Sequence, residues 1–95
     1  MQNYAYPIDS DWSTDETVKV VEFLAAVEQD YESSMDVKEF SIKYQKFKEV
    51  VTSISGEKQL DKVFQSESGY SIYQAVKLMK ELNKTETKNK KMRIN

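Results

Sequence analysis

DVKEFSIKYQKFKEVVTSI, residues 36–54, is the stretch that decides the fold. Val37, Phe40, Tyr44, Phe47, Val51 and Ile54 recur in it at spacings of 3, 4, 3, 4 and 3. That period lays the apolar side chains along one face of a helix. Lys38, Lys46 and Glu49 fall on the opposite face, with Lys43 and Lys48 at its edges, so the helix is amphipathic and must bury one side. Asp36 and Glu39, three residues apart, read as a capping box at its start.

The same logic extends in both directions. Upstream, Ser13-Thr-Asp-Glu16 is a capping box, and Asp15 and Glu16 suit the positive end of a helix dipole. Val20, Leu24, Val27 and Tyr31 follow at helical spacing, with Val21 and Phe23 widening the stripe, and this helix is expected to end near Ser33–Ser34. Downstream, the serines and Gly56 end the second helix. A shorter helix carries Leu60, Val63 and Phe64 as far as Ser66-Glu-Ser-Gly69. Ser71-Ile-Tyr-Gln74 is a third capping box, and Ile72, Val76, Met79 and Leu82 form the last stripe. Nothing alternates as a strand does. The expectation is an all-α fold: a small bundle of three to four helices, two long and two short, preceded by an extended N-terminal arm. Residues 1–83 form one domain on this reading, with residues 84–95 a disordered basic tail. The stripes are expected to press together with no reactive group enclosed.

Ninety-five residues make one domain, and helical domains above roughly 60 residues fold without staples. The chain has no cysteine and no histidine. Disulfides, thiol catalysis, Cys-ligated zinc, serine–histidine triads and the Glu-x-x-His di-iron pattern therefore lack material. No apolar run approaches the roughly 20 residues that cross a bilayer. Met1-Gln-Asn-Tyr-Ala-Tyr-Pro7 has neither the basic nor the apolar region of a secretory signal, so the expected compartment is the cytoplasm. The net charge of −2 hides an asymmetry. Residues 1–36 hold nine carboxylates and only Lys19, a balance of −8, whereas residues 84–95 hold five bases and one acid. An acidic body repels phosphate backbones, which leaves nucleic-acid binding to the tail alone.

Asp9, Asp11, Ser13 and Asp15 alternate like the start of a calcium loop. The glycine and glutamate such a loop needs at its sixth and twelfth positions are replaced by Thr14 and Val20, so no metal site is assigned. Glu28, Asp30 and Glu32 read as a solvated acidic face rather than a carboxylate centre. Neither catalytic residues nor a cofactor are assigned. Tyr4, Tyr6, Trp12, Tyr31, Tyr44, Tyr70 and Tyr73 are the remaining signal, because Tyr and Trp join a large apolar body to a polar tip and favour interfaces. A structural role competes with that reading: Tyr6, Ile8 and Trp12 would clamp the arm to the bundle.

Tyr6-Pro-Ile-Asp9, Asp11-Trp-Ser13, Tyr44-x-x-Phe47-Lys-Glu-Val-Val51, Glu57-Lys58 and Ser68-Gly-Tyr70-Ser-x-Tyr73, taken together, resemble uncharacterised protein family 0223 of low-GC Gram-positive bacteria. The likeness spans about residues 4–80. It implies a small cytoplasmic helical bundle and carries no activity with it. One departure is Thr52, where the family usually has proline. If the family boundary applies, the second helix ends near Val51, Ser53 caps the third, and Ile54 leaves the stripe described above. The functional expectation is a non-enzymatic interaction or adaptor module. Its partner is an unknown protein or a second copy of the chain, and its candidate surface is Tyr4, Tyr6, Asp9, Asp11 and Trp12. Nucleic-acid association through the tail and a carboxylate- or tyrosine-dependent enzyme are the alternatives.

Overall fold

The computed structural model describes residues 8–84 and 91–92. Four helices form the bundle: α1 (Thr14–Glu32), α2 (Val37–Val50), α3 (Ile54–Ser68) and α4 (Ile72–Asn83). Each begins where a polar side chain satisfies amides that have no partner in the first turn. Ser13 and Glu16 close the reciprocal box on α1, with Glu16 N donating to Ser13 Oγ at 3.1 Å and Ser13 N donating to Glu16 Oε1 at 2.9 Å. Asp36 accepts from Lys38 N, Ser53 from Gly56 N and Ser71 from Gln74 N. The boundary implied by the family resemblance is the observed one. Val51 ends α2, Ser53 caps α3, and Ile54 lies on α3 with 69 % of its surface exposed.

α3 differs from the expected short helix, since its 15 residues exceed the 14 of α2. The Ser53 cap holds the Gly56 amide, so the glycine costs little in the first turn, and helix-favouring Glu57, Lys58, Gln59 and Leu60 follow. Gly69 stops the helix at φ 82°, a left-handed conformation that suits glycine.

α1 and α2 are antiparallel, as the Lys19–Glu49 and Lys43–Glu22 ion pairs record. Phe23 sits between them, 4.4 Å from the Phe47 ring in a stacked arrangement and 5.3 Å from the tilted Phe40 ring. Ile72, Ala75, Val76 and Met79 bring α4 onto this core, and Asn83 Nδ2 donates to Ser41 Oγ on α2 at 3.1 Å. α3 contributes a single fully buried side chain, Phe64.

Beyond α4 the structure describes one short strand. β2 (Lys91–Met92) pairs antiparallel with β1 (Met35–Asp36), in the register Met35 to Met92 and Asp36 to Lys91. A two-residue ladder leaves the fold class all-α.

Candidate functional site

The arm reaches α1 through a tight turn. Trp12 N donates to the Asp9 carbonyl at 3.1 Å, and Asp11 N donates to Asp9 Oδ1 at 2.9 Å. An aspartate that bonds the backbone two residues on is the usual means of fixing such a turn. Trp12 is thereby set half-buried against the core, with Asp9, Asp11 and Ile8 exposed. Of the five predicted surface residues, the structure brings Asp9, Asp11 and Trp12 together. Tyr4 and Tyr6 lie outside the described residues.

Opposite this turn stands the α2–α3 corner. Val50, Val51, Thr52 and Ser53 form one wall of a groove, and Ile8, Asp9 and Trp12 form another. Its third side is a face of α3 made by Gly56, Gln59, Leu60 and Val63, at the 3- and 4-residue spacings that share a helical face. The open groove encloses about 570 Å³, within the range of roughly 300–1,000 Å³ typical of binding clefts. Among the described residues Asp9 is the single charged one that lines it. Val63 leaves 43 % of its surface to solvent and Ile8 50 %. At Gly56 a Cβ would lie 2.9 Å from Ser53 Oγ, against the hydroxyl that caps α3.

The other tyrosines have structural work. Tyr44 donates to Glu57 Oε1 at 3.1 Å and so ties α2 to α3. Burial, and then the Glu57 carboxylate, push its phenol up to about 12. Tyr31 and Tyr70 stack 4.6 Å apart at 15°. Tyr31 Oη accepts from Ser71 N, and Tyr70 Oη donates to Glu32 at 2.9 Å, which raises the Tyr70 phenol. Asp61 accepts from Ile72 N at 2.7 Å and Tyr73 N at 3.4 Å, placing a carboxylate at the positive end of α4. Tyr73 remains 61 % exposed.

Asp30 corrects the reading of a solvated acidic face. It has no exposed surface, and neither carboxylate oxygen has a hydrogen-bond partner. Burial pushes its carboxyl up to about 7. The physical reason is angular: at 100° per residue Asp30 points some 200° away from both Glu28 and Glu32. It continues the buried line Val20, Phe23 and Val27 instead. Those three positions, extended by three more residues, were the sequence signal that identifies it. The expectation of a core with no enclosed reactive group therefore fails at this one carboxyl. Among the described residues no group of three or more acids could hold a metal ion. No described helix is long and apolar enough to cross a membrane.

The pattern of the uncharacterised protein family UPF0223 matches residues 3–88. The chain belongs to that family. A UPF0223 protein of Streptococcus uberis is 51 % identical over 82 residues, which cover 86 % of this chain and 89 % of the relative. One from Streptococcus agalactiae is 51 % identical over 79 % of this chain and 81 % of its own length. One from Streptococcus thermophilus is 50 % identical, covering 82 % and 84 %. The family is uncharacterised, so membership leaves the groove and Asp30 to be interpreted on their own geometry.

Proposed function

We propose that the protein is a non-enzymatic interaction module of the bacterial cytoplasm, and that the arm–α3 groove takes an apolar, basic segment of a protein partner. The observation that carries this reading is the groove itself: an open cleft with the chain's single tryptophan in its wall and one carboxylate, Asp9, as the only charge among its described lining residues. Trp12, Leu60 and Val63 in its walls favour an aliphatic side chain, and Trp supplies large contact area at an interface. Asp9 and the neighbouring exposed Asp11 and Asp15 favour a cation beside it, while Lys19 is engaged by Asp15 and Glu49. A non-enzymatic role is supported by Asp30, the carboxyl whose acidity is shifted furthest from its ordinary range, because a side chain without accessible surface meets no substrate.

Trp12 provides the test, since it is the sole tryptophan and lines the groove. The full chain is titrated with synthetic peptides that place Leu and Ile among lysines, and with matched peptides that place them among glutamates. A saturable change in Trp12 emission with the basic set alone is expected. Silence towards both sets, or equal response to both, overturns the reading. An emission change that follows protein concentration, with a dimer mass by light scattering, overturns it in favour of a second copy as the occupant.

A further inference from the structure

The groove lies at the N-terminal end of α1, and the opposite end carries a different device. Asp30 is in the last turn of α1, five residues before β1, fully enclosed and with both oxygens unpartnered. A helix C-terminus is the negative end of the dipole, where acids are disfavoured and bases preferred. The last turn of α1 has no basic residue and contains Glu32 as well as Asp30. Burial opposes a charge on the Asp30 side chain, and its place at the negative end of the dipole offers no relief.

The described side chains of the elements packed on α1 supply no compensation. On α2, Lys38 and Glu39 are exposed, Lys43 pairs with Glu22, and the Asp36 cap accepts from Lys38 N. On α4, Lys77, Lys80 and Glu81 are exposed. On β2, Lys91 stands opposite Asp36 in the register. Within α1, Glu28 and Glu32 lie on the far face, and burial alone accounts for the raised affinity of Asp30 for its proton.

We infer that the α1–β1 corner is a proton-operated latch: with Asp30 protonated the corner stays shut, and loss of that proton admits water, loosens the β1–β2 pairing and frees the strand that carries Lys91. Water is the alternative open to a carboxylate that has no partner inside. The ladder is the part that gives way, because a pairing of two residues on each strand is held by few hydrogen bonds. In the open corner the carboxyl returns to ordinary acidity. The opening equilibrium then rises with pH from about 4 and flattens above about 7.

Hydrogen exchange on the full chain, corrected for the intrinsic pH dependence of exchange, measures this opening. Amides of residues 33–36 and 91–92 are expected to open roughly twentyfold more often at pH 7.5 than at pH 5.5, while those of Val20–Val27 keep their protection. Asp30→Asn, close to isosteric and uncharged, is expected to abolish the difference. An equal pH response in the variant, or none in the native chain, overturns the inference. Should Asp30→Asn fail to fold, a carbon-13 titration of the native Asp30 carboxyl decides it. A midpoint near 7 supports the latch, and one below about 5 overturns it.

Discussion

α1 is about 28 Å long by its 19 residues, and its two ends handle acidic residues in opposite ways. At the N-terminal end Asp9, Asp11, Asp15 and Glu16 face water or cap amides, on the side of the dipole that favours them. Beside them lies an open groove. At the C-terminal end Asp30 is enclosed without a partner among the described residues, in the last turn before the β1–β2 ladder. One end therefore tolerates charge and offers a surface. The other encloses a carboxyl that burial keeps protonated, and offers a response to pH. The lesson is that net charge predicts neither behaviour; which face of the helix an acid occupies does.

The largest expected effect lies at the closed end. Burial raises the folded-state Asp30 carboxyl from 3.8 to about 7, so between those values the native state holds a proton that the unfolded chain has released. Stability should accordingly fall as pH rises from about 4 to about 7, by on the order of 4 kcal/mol, and remain level above. Urea denaturation at pH 5 and pH 8 measures it. Asp30→Asn should remove most of that slope. A slope unchanged by the substitution would erase the contrast between the two ends.

At the open end Trp12→Ala should cost about 1–2 kcal/mol, roughly half the value of a fully buried tryptophan, because the ring is half-buried against the core. Its cost should be the same at pH 5 and pH 8, since Asp30 lies at the other end of α1. Smaller still is Tyr70→Phe at the closed end. It removes the exposed bond to Glu32 and leaves the ring stack, an expected loss of about 0.5–1 kcal/mol by thermal or urea unfolding.

Much of this arrangement was legible in the residues, and what was missed has a common cause. The capping serines and the stripe of α2 are local signals, and they placed the helix starts at Ser13, Asp36 and Ser71. Ile54 was ambiguous by period alone, since it fits the α2 stripe, and the tertiary boundary at Val51 settled it. Asp30 was misjudged because residue type was weighed above angular position. The α3 wall of the groove was invisible for another reason. Leu60 and Val63 look like core residues in any helix, and only the turn at Asp9–Trp12 beside the α2–α3 corner shows that they line a groove among the described residues. Tyr31, Tyr44 and Tyr70 appeared as interface candidates, but their hydroxyls are spent on Ser71, Glu57 and Glu32.

The sharpest test of the open end is one expected to leave stability alone. Val63 is 43 % exposed on the groove face of α3, and Ile54, 69 % exposed, lies nine residues earlier, half a turn round the helix. Both are apolar side chains already in water, so Val63→Gln and Ile54→Gln should each change folding free energy by less than about 0.5 kcal/mol. If the groove seats an apolar segment, covering the exposed part of Val63 is worth about 1.4 kcal/mol, and its loss weakens binding roughly tenfold. Ile54→Gln removes a comparable side chain from the opposite face and should leave the Trp12 emission titration with the basic peptides unchanged. Equal effects from the two substitutions would mean that α3 binds through general hydrophobicity rather than through the cleft. A tenfold loss from Val63→Gln alone would place the contact on the face that Trp12 and Leu60 share.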